Sequence, residues 1–289
     1  MGTWLAVALT AAPGFADRHH TRSVSANDEK PVTDCSALHI TFDDREAVVQ
    51  SEERTITKEE APNLRVVAEK NGGLQVRGWD KENYGVTLCK AAEAGGDAEA
   101  MLAQIRLKVQ GGEVSVSGPA DHERWTAFLL VSAPKGAALD LSVHNGPMSI
   151  SGVDGKVTAQ AVNGPVSLKD SAGEISLTAE NGPITVTGSS GKLSVRTQNG
   201  PVDVELRGQS WTGEGLEAHA TNGPVTIRVP SGYQSGVLVE SDGNGPFRCK
   251  ASVCAEGRKT WDEDQKRIEF GTGPAVVRVS TVNGPVSVE

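Results

Sequence analysis

Aromatic side chains make up only 4% of this 289-residue chain. A core built without them has to be narrow and aliphatic, because large rings supply most of the bulk in thick globular cores. Basic excess is also missing. The formal charge is −9 and no long basic run occurs, so the positive footprint that nucleic-acid binding needs is absent. Long apolar runs are lacking as well: residues 4–12 are far too few to span a bilayer, and no other stretch is long enough for a transmembrane helix. No strand–Gly-rich–helix phosphate loop, zinc-protease helix or nucleophile elbow can be found. Glycine-aspartate calcium nonapeptides are absent, so no metal or other cofactor is implied. Only Thr185-Val186-Thr187 resembles a Thr-x-Thr step, which excludes a regular ice-binding ladder.

The first residues read MGTWLAVALTAAPGFA. A short apolar segment followed by Gly14 and Ala16 reads as a secretory signal over residues 1–16, cleaved before Asp17. That places the protein outside the cytoplasm, in the periplasm or at the cell surface. Residues 17–34 are polar and patternless and read as a disordered lead-in; His19 and His20 fall there. Four cysteines follow, Cys35, Cys89, Cys249 and Cys254. In an exported chain an even count favours disulfides, with three connectivities open for four cysteines. Cys249 and Cys254 are close enough to clip one loop, which leaves Cys35 for Cys89. A zinc site is the competing reading, but Cys-x4-Cys has no matching second pair and no histidine at ligand spacing.

Against these absences stands one strong signal. Asn-Gly-Pro begins at Asn145, Asn163, Asn181, Asn199, Asn222, Asn244 and Asn283, with steps of 18, 18, 18, 23, 22 and 39 residues. A period near 20 residues marks a stacked repeat architecture, in which each unit buries its apolar side on its neighbours. Within each unit, two runs of strict alternation, such as Val166-Ser167-Leu168 and Ile175-Ser176-Leu177-Thr178-Ala179, predict two half-buried strands. The expected fold is therefore all-β: a single-stranded β-solenoid, or β-helix, of ~18–23-residue coils. The inward positions are Met148, Ile150, Val157, Val166, Leu168, Ile175, Leu177, Ile184, Val186, Leu193, Val195, Val202, Val204, Val225 and Ile227.

The corner chemistry is legible. Glycine reaches backbone angles closed to other residues, and Asn tolerates the left-handed region. Proline fixes its own φ and lacks an N–H, so it suits the first residue of a strand. Stacked Asn side chains can also hydrogen-bond from unit to unit.

Residues 138–289 carry the regular repeat. Residues 35–137 read as an irregular N-terminal cap with first coils, containing strand-like runs at Leu38–Phe42, 64–68, 74–77, 86–89 and 114–117 and a short helix within 91–105. A cap is needed because an open strand edge invites aggregation. The sequence ends on Val286-Ser287-Val288-Glu289, which predicts an exposed last strand whose edge is either blunted by the Glu289 charges, the favoured reading, or open to edge-to-edge self-association.

The iterated N-G-P-[VI]-x-[VL] corners, the intervening Gly-bearing turns and the closing FGTGPAVVRVSTVNGPVSVE resemble a family of exported bacterial β-strand-repeat proteins known as putative adhesins. The resemblance spans roughly residues 60–289. It implies the fold, and it carries over no catalytic residue.

An enzyme is the main challenger, since parallel β-helices host polysaccharide lyases and hydrolases that need clustered acids. The outward positions here are mostly hydroxyls. Asp203 and Glu205 share one face near Arg228, a trio that a solvated ion pair accounts for. Glycan binding without catalysis needs exposed aromatics beside polar groups; Trp211 and Trp261 are the candidates, with Trp79, Trp125, Tyr84 and Tyr233 behind them. The expectation is a non-catalytic envelope scaffold or adhesin whose partner is a cell-surface glycan or an envelope protein. A polysaccharide-binding or polysaccharide-degrading β-helix is the alternative.

Overall fold

The computed structural model describes residues 22–26, 32–43, 45–68, 71–120, 123–242, 245–261 and 265–289. The expected signal segment 1–16, His19, His20, Asp44, Asn244 and Asp262-Glu263-Asp264 lie outside the described residues. Among the described residues the fold is all-β, with long parallel stretches in two large sheets of eleven and twelve strands and a small three-stranded sheet, and neither large sheet closes on itself.

From residue 138 to 228 successive strands alternate between the two large sheets. Ala138–Asn145, Lys156–Asn163, Glu174–Asn181, Ser190–Asn199 and Thr212–Asn222 lie side by side in one sheet. Met148–Ser151, Val166–Lys169, Ile184–Gly188, Val202–Leu206 and Val225–Arg228 lie side by side in the other. All of these neighbours are parallel, and the register repeats: Met148 pairs Val166, Val166 pairs Ile184, Ile184 pairs Val202, and Val202 pairs Val225. Because side chains alternate along a strand, this register puts every second residue into one shared core. All fifteen inward positions read from the sequence are buried there, each at most 3% exposed.

The corners hold the register. Asn163 donates its amide to Asn145, Asn181 to Asn163, Asn199 to Asn181, and Asn222 to Asn199, at 2.8–3.1 Å. The column begins at Asn71, which accepts from Asn145. Beside it the backbone is bonded along the same axis in the opposite sense: Gly164 N–H donates to Asn181 carbonyl, and Val166 N–H to Pro183 carbonyl. The proline therefore lacks only a donor, and its carbonyl is used.

Glycine is required twice over. At Gly182 φ is +151°, and an added Cβ would lie 2.2 Å from the Gly164 carbonyl oxygen of the preceding repeat.

The repeats do not stack in sequence order. Thr272–Asn283 lies between Thr212–Asn222 and Ser235–Ser241, parallel to both. Val286–Val288 likewise lies between Val225–Arg228 and Phe247–Cys249. The last segment of the sequence is thus an interior layer, and Asn283 continues the amide column by donating to Asn222 at 2.9 Å. This corrects the expectation of an exposed last strand open to edge-to-edge association: both edges of Val286–Val288 are already paired. The outer layer at this end is 235–249, followed by the antiparallel hairpin of Arg258–Trp261 and Lys266–Phe270.

At the other end, Trp125–Pro134 pairs parallel to Gly72–Trp79 and antiparallel to Tyr84–Ala92, which in turn pairs with the edge strand Val48–Ile56. The other sheet ends in the antiparallel pair Arg106–Gln110 and Glu113–Ser117. The helix Ala98–Leu102 packs Met101 and Leu102 into the core. A second apolar cluster sits outside the eleven-stranded sheet, where Leu38, Ile40 and Phe42 cover Phe128 and Leu130. The expected disordered lead-in 17–34 is corrected in part, because Arg22–Ala26 pairs antiparallel with Leu38–Phe42. Two disulfides, Cys35–Cys89 and Cys249–Cys254, fasten the small sheet and the outer strand.

Replacing Gly182 with Ala is expected to lower unfolding free energy by about 1–3 kcal/mol from backbone conformation alone, with the contact to Gly164 adding to that. Asn181→Leu removes two column bonds at about 1 kcal/mol each. Denaturant melts of both variants check this, and an unchanged midpoint for either would contradict the stacked corners.

Candidate functional site

The outer face of the eleven-stranded sheet is built by the residues that alternate with the core. In register it presents Gln75, Ser149, Ser167, Thr185, Asp203, Thr226 and Ser287 in one column. Ser167 donates to Ser149 along that column at 3.1 Å. The acids on this face are distributed, not convergent. Glu205 pairs with Arg207 at 3.5 Å, and Arg207 also holds Asp170 at 2.8 Å. Arg228 pairs instead with Glu289 at 3.7 Å. Of the trio Asp203, Glu205 and Arg228, the last two are therefore engaged in separate ion pairs and not with each other. Among the described residues no group of three or more His, Cys, Asp or Glu side chains is placed to hold a metal ion.

The two candidate tryptophans part company. Trp211 is only 7% exposed. Its indole N–H donates to Gly191 carbonyl at 3.0 Å and its backbone N–H to Ser235 Oγ at 2.9 Å. It fills the widened repeat as core, which corrects its reading as a binding residue. Trp261 is 52% exposed and leans on Phe247 with ring centroids 5.6 Å apart. It stands on the edge strand Arg258–Trp261, all four residues of which are exposed.

Of the remaining aromatics, Trp125, Tyr84 and Tyr233 are buried, and burial pushes the Tyr233 phenol up to about 12. Trp79 is half-buried, with its indole N–H on Asn83 carbonyl and the Lys81 ammonium 4.6 Å over its ring.

Next to the Trp261 strand lies a cleft of about 670 Å³ lined by Arg258, Arg267, Arg278, Glu256, Glu269 and Gln234 among others. Glu269 is clamped between Arg258 and Arg267. The Arg258 hydrogen bond first, and the Arg267 bond second, hold its carboxyl below the ordinary carboxylate range. This cleft was not legible in the sequence, because the out-of-order layering is what brings Arg278 of strand 272–283 to the hairpin that carries Arg258 and Arg267. A separate ion pair lies at the opposite end, where buried Lys90 donates to Ile105 carbonyl at 3.3 Å and lies 3.8 Å from the partly exposed Glu52.

No protein-family model and no curated protein sequence matches the chain. Several solved structures are similar to it. One is a putative cell adhesion protein from Clostridium sporogenes ATCC 15579, with 11% identity over 83% of this chain and 99% of that one and a TM-score of 0.32. A putative adhesin from Bacteroides fragilis NCTC 9343 gives 11%, 84%, 97% and 0.27 in the same terms. A putative lipid binding protein from Parabacteroides distasonis ATCC 8503 gives 11%, 83%, 97% and 0.31. Likenesses at TM-scores this low carry no argument about fold or function.

Trp211→Ala is expected to cost about 3–5 kcal/mol of stability, whereas Trp261→Ala should stay within about 1 kcal/mol; equal losses in thermal melts would contradict these placements. Glu269 adds a pH dependence. A depressed folded value means its contribution is complete above the ordinary carboxylate range and is lost as pH falls through the folded value. The melting temperature of the unaltered protein should thus drop more steeply in acid than that of Glu269→Gln. Parallel curves would show that the clamp does not stabilise the hairpin.

Proposed function

We propose that this protein is an exported, non-catalytic β-solenoid, a rod of stacked coils that serves as an adhesin-like contact scaffold in the cell envelope, in the periplasm or at the cell surface. The observation that carries the reading is the in-register outer column of Ser149, Ser167, Thr185, Asp203, Thr226 and Ser287, hydroxyls with a single acid among them, on a run of parallel strands. Such a face is polar, evenly spaced at about 4.8 Å per strand and devoid of the convergent acids that glycoside chemistry needs. Strand alternation between two sheets with a single shared core supports the winding. Two disulfides support an oxidising compartment. A cell-surface glycan or an envelope protein is the partner this face suits.

One observation favours a second reading, polysaccharide binding at the hairpin end. Trp261 offers an exposed ring on the same edge strand whose other end, Arg258, lines the arginine-bearing cleft, and exposed rings on a polar surface suit the stacking of sugar faces.

The test is to incubate the purified protein with a panel of cell-wall and extracellular polysaccharides and to measure binding and released sugar ends together. Binding without release is expected. Loss of binding in Trp261→Ala places it at the hairpin end, and retention places it on the hydroxyl face. Release of new sugar ends that disappears in Asp203→Asn or Glu205→Gln would overturn the non-catalytic reading.

A further inference from the structure

The layer 272–289 is held by nothing that is particular to its own chain. Its core side chains Val277, Val279, Thr281, Val286 and Val288 are at most 1% exposed. Most of its bonds repeat those of the stack, beside its own contacts His219–Ser280, Thr272–Gln234 and Arg228–Glu289. Thr281 Oγ1 donates to Gly223 carbonyl as Thr197 Oγ1 does to Gly182 carbonyl. Asn283 donates to Asn222 as Asn199 does to Asn181. Gly284 sits over Gly223 as Gly182 sits over Gly164. Yet this layer fills a slot whose two walls, 212–228 and 235–249, both precede it in sequence.

The connection into the slot is short. Lys266–Phe270 lies on one side of Ser235–Ser241 and Thr272–Asn283 on the other, so the chain crosses that strand with Gly271 as the only residue between them. Gly271 has φ +83°, and an added Cβ there would lie 2.1 Å from Ser235 carbonyl oxygen. Short hinges favour exchange of an element between copies, because the exchanged form keeps every contact of the closed one.

We propose that 272–289 is an exchangeable layer: the segment of one copy fills the slot between 212–228 and 235–249 of a second copy, so that the partner is this chain itself. Reciprocal exchange closes a two-fold pair, in which every bond named above forms between chains instead of within one. The slot selects its occupant by shape and register. Only a segment with alternating small aliphatic residues followed by Asn-Gly-Pro satisfies both walls, the amide column and the glycine stack at once. This inference is independent of what the outer faces bind.

The test uses two single-cysteine variants of the full chain, His219→Cys and Ser280→Cys. These positions are register partners across the slot wall, with His219 Nδ1 and Ser280 Oγ 2.9 Å apart. Neither variant can form the new bond within itself, and the native cysteines are already paired. The two are mixed, taken to the denaturation midpoint without reductant, and returned to native buffer at low and at high concentration. A disulfide-linked species of twice the chain mass, increasing with concentration, is expected. The control mixture of Thr178→Cys and Arg196→Cys, register partners in layers that do not exchange, should stay at the chain mass. The unaltered protein, treated alike and followed by light scattering, should give a dimer that persists on dilution. Cross-linking no greater than the control, a monomer at every concentration, or dimers without the 219–280 link would each overturn the proposal.

Discussion

Everything in this structure depends on one constraint: each repeat must meet the next at the same residue, and the Asn-Gly-Pro corner enforces it. The asparagine amide bonds to the asparagine of the neighbouring repeat. The glycine leaves no room for a side chain above the carbonyl below it. The residue after proline starts the strand with its N–H already committed to the next repeat. A slip of one residue would break all three and would also turn the aliphatic face outward. The register is consequently over-determined, and a thin aliphatic core is enough.

Much of this was readable because the period, the alternation and the corner residues all point to the same arrangement. Every inward residue from Met148 to Ile227 named from the sequence is buried. What could not be read is the order of layers. Parallel strands with identical corners are interchangeable neighbours, so nothing local distinguishes Val286 beside Val225 from Val286 at an edge. The N-terminal part hid its structure for a different reason. Trp125–Pro134 is buried on both faces and so lacks alternation, while the edge strand Val48–Ile56 is mostly exposed and polar.

The candidate sites divide along the same line. The longest step between early corners carries Trp211; the residues on either side of it, 207–210 and 212–214, stay exposed while its indole alone turns in and closes the core against Gly191. Trp261 remained outside because its hairpin is the last element of the sheet and nothing lies beyond it among the described residues. The arginine-lined cleft exists only because 272–283 returns beneath 235–241. Function, on this account, is set by which side chains the stacking leaves outside, and stacking order decides that as much as sequence does.

The most direct test of in-register stacking with an interior last segment is a pair of distances along the outer column. Spin labels on Ser149 and Ser287 lie five strands apart, and on Ser149 and Arg248 six. At about 4.8 Å per strand these are about 24 Å and about 29 Å. The account predicts that the Ser287 pair is the shorter by one strand spacing. The reverse order would show that the layers follow the sequence and that the last strand is an edge after all.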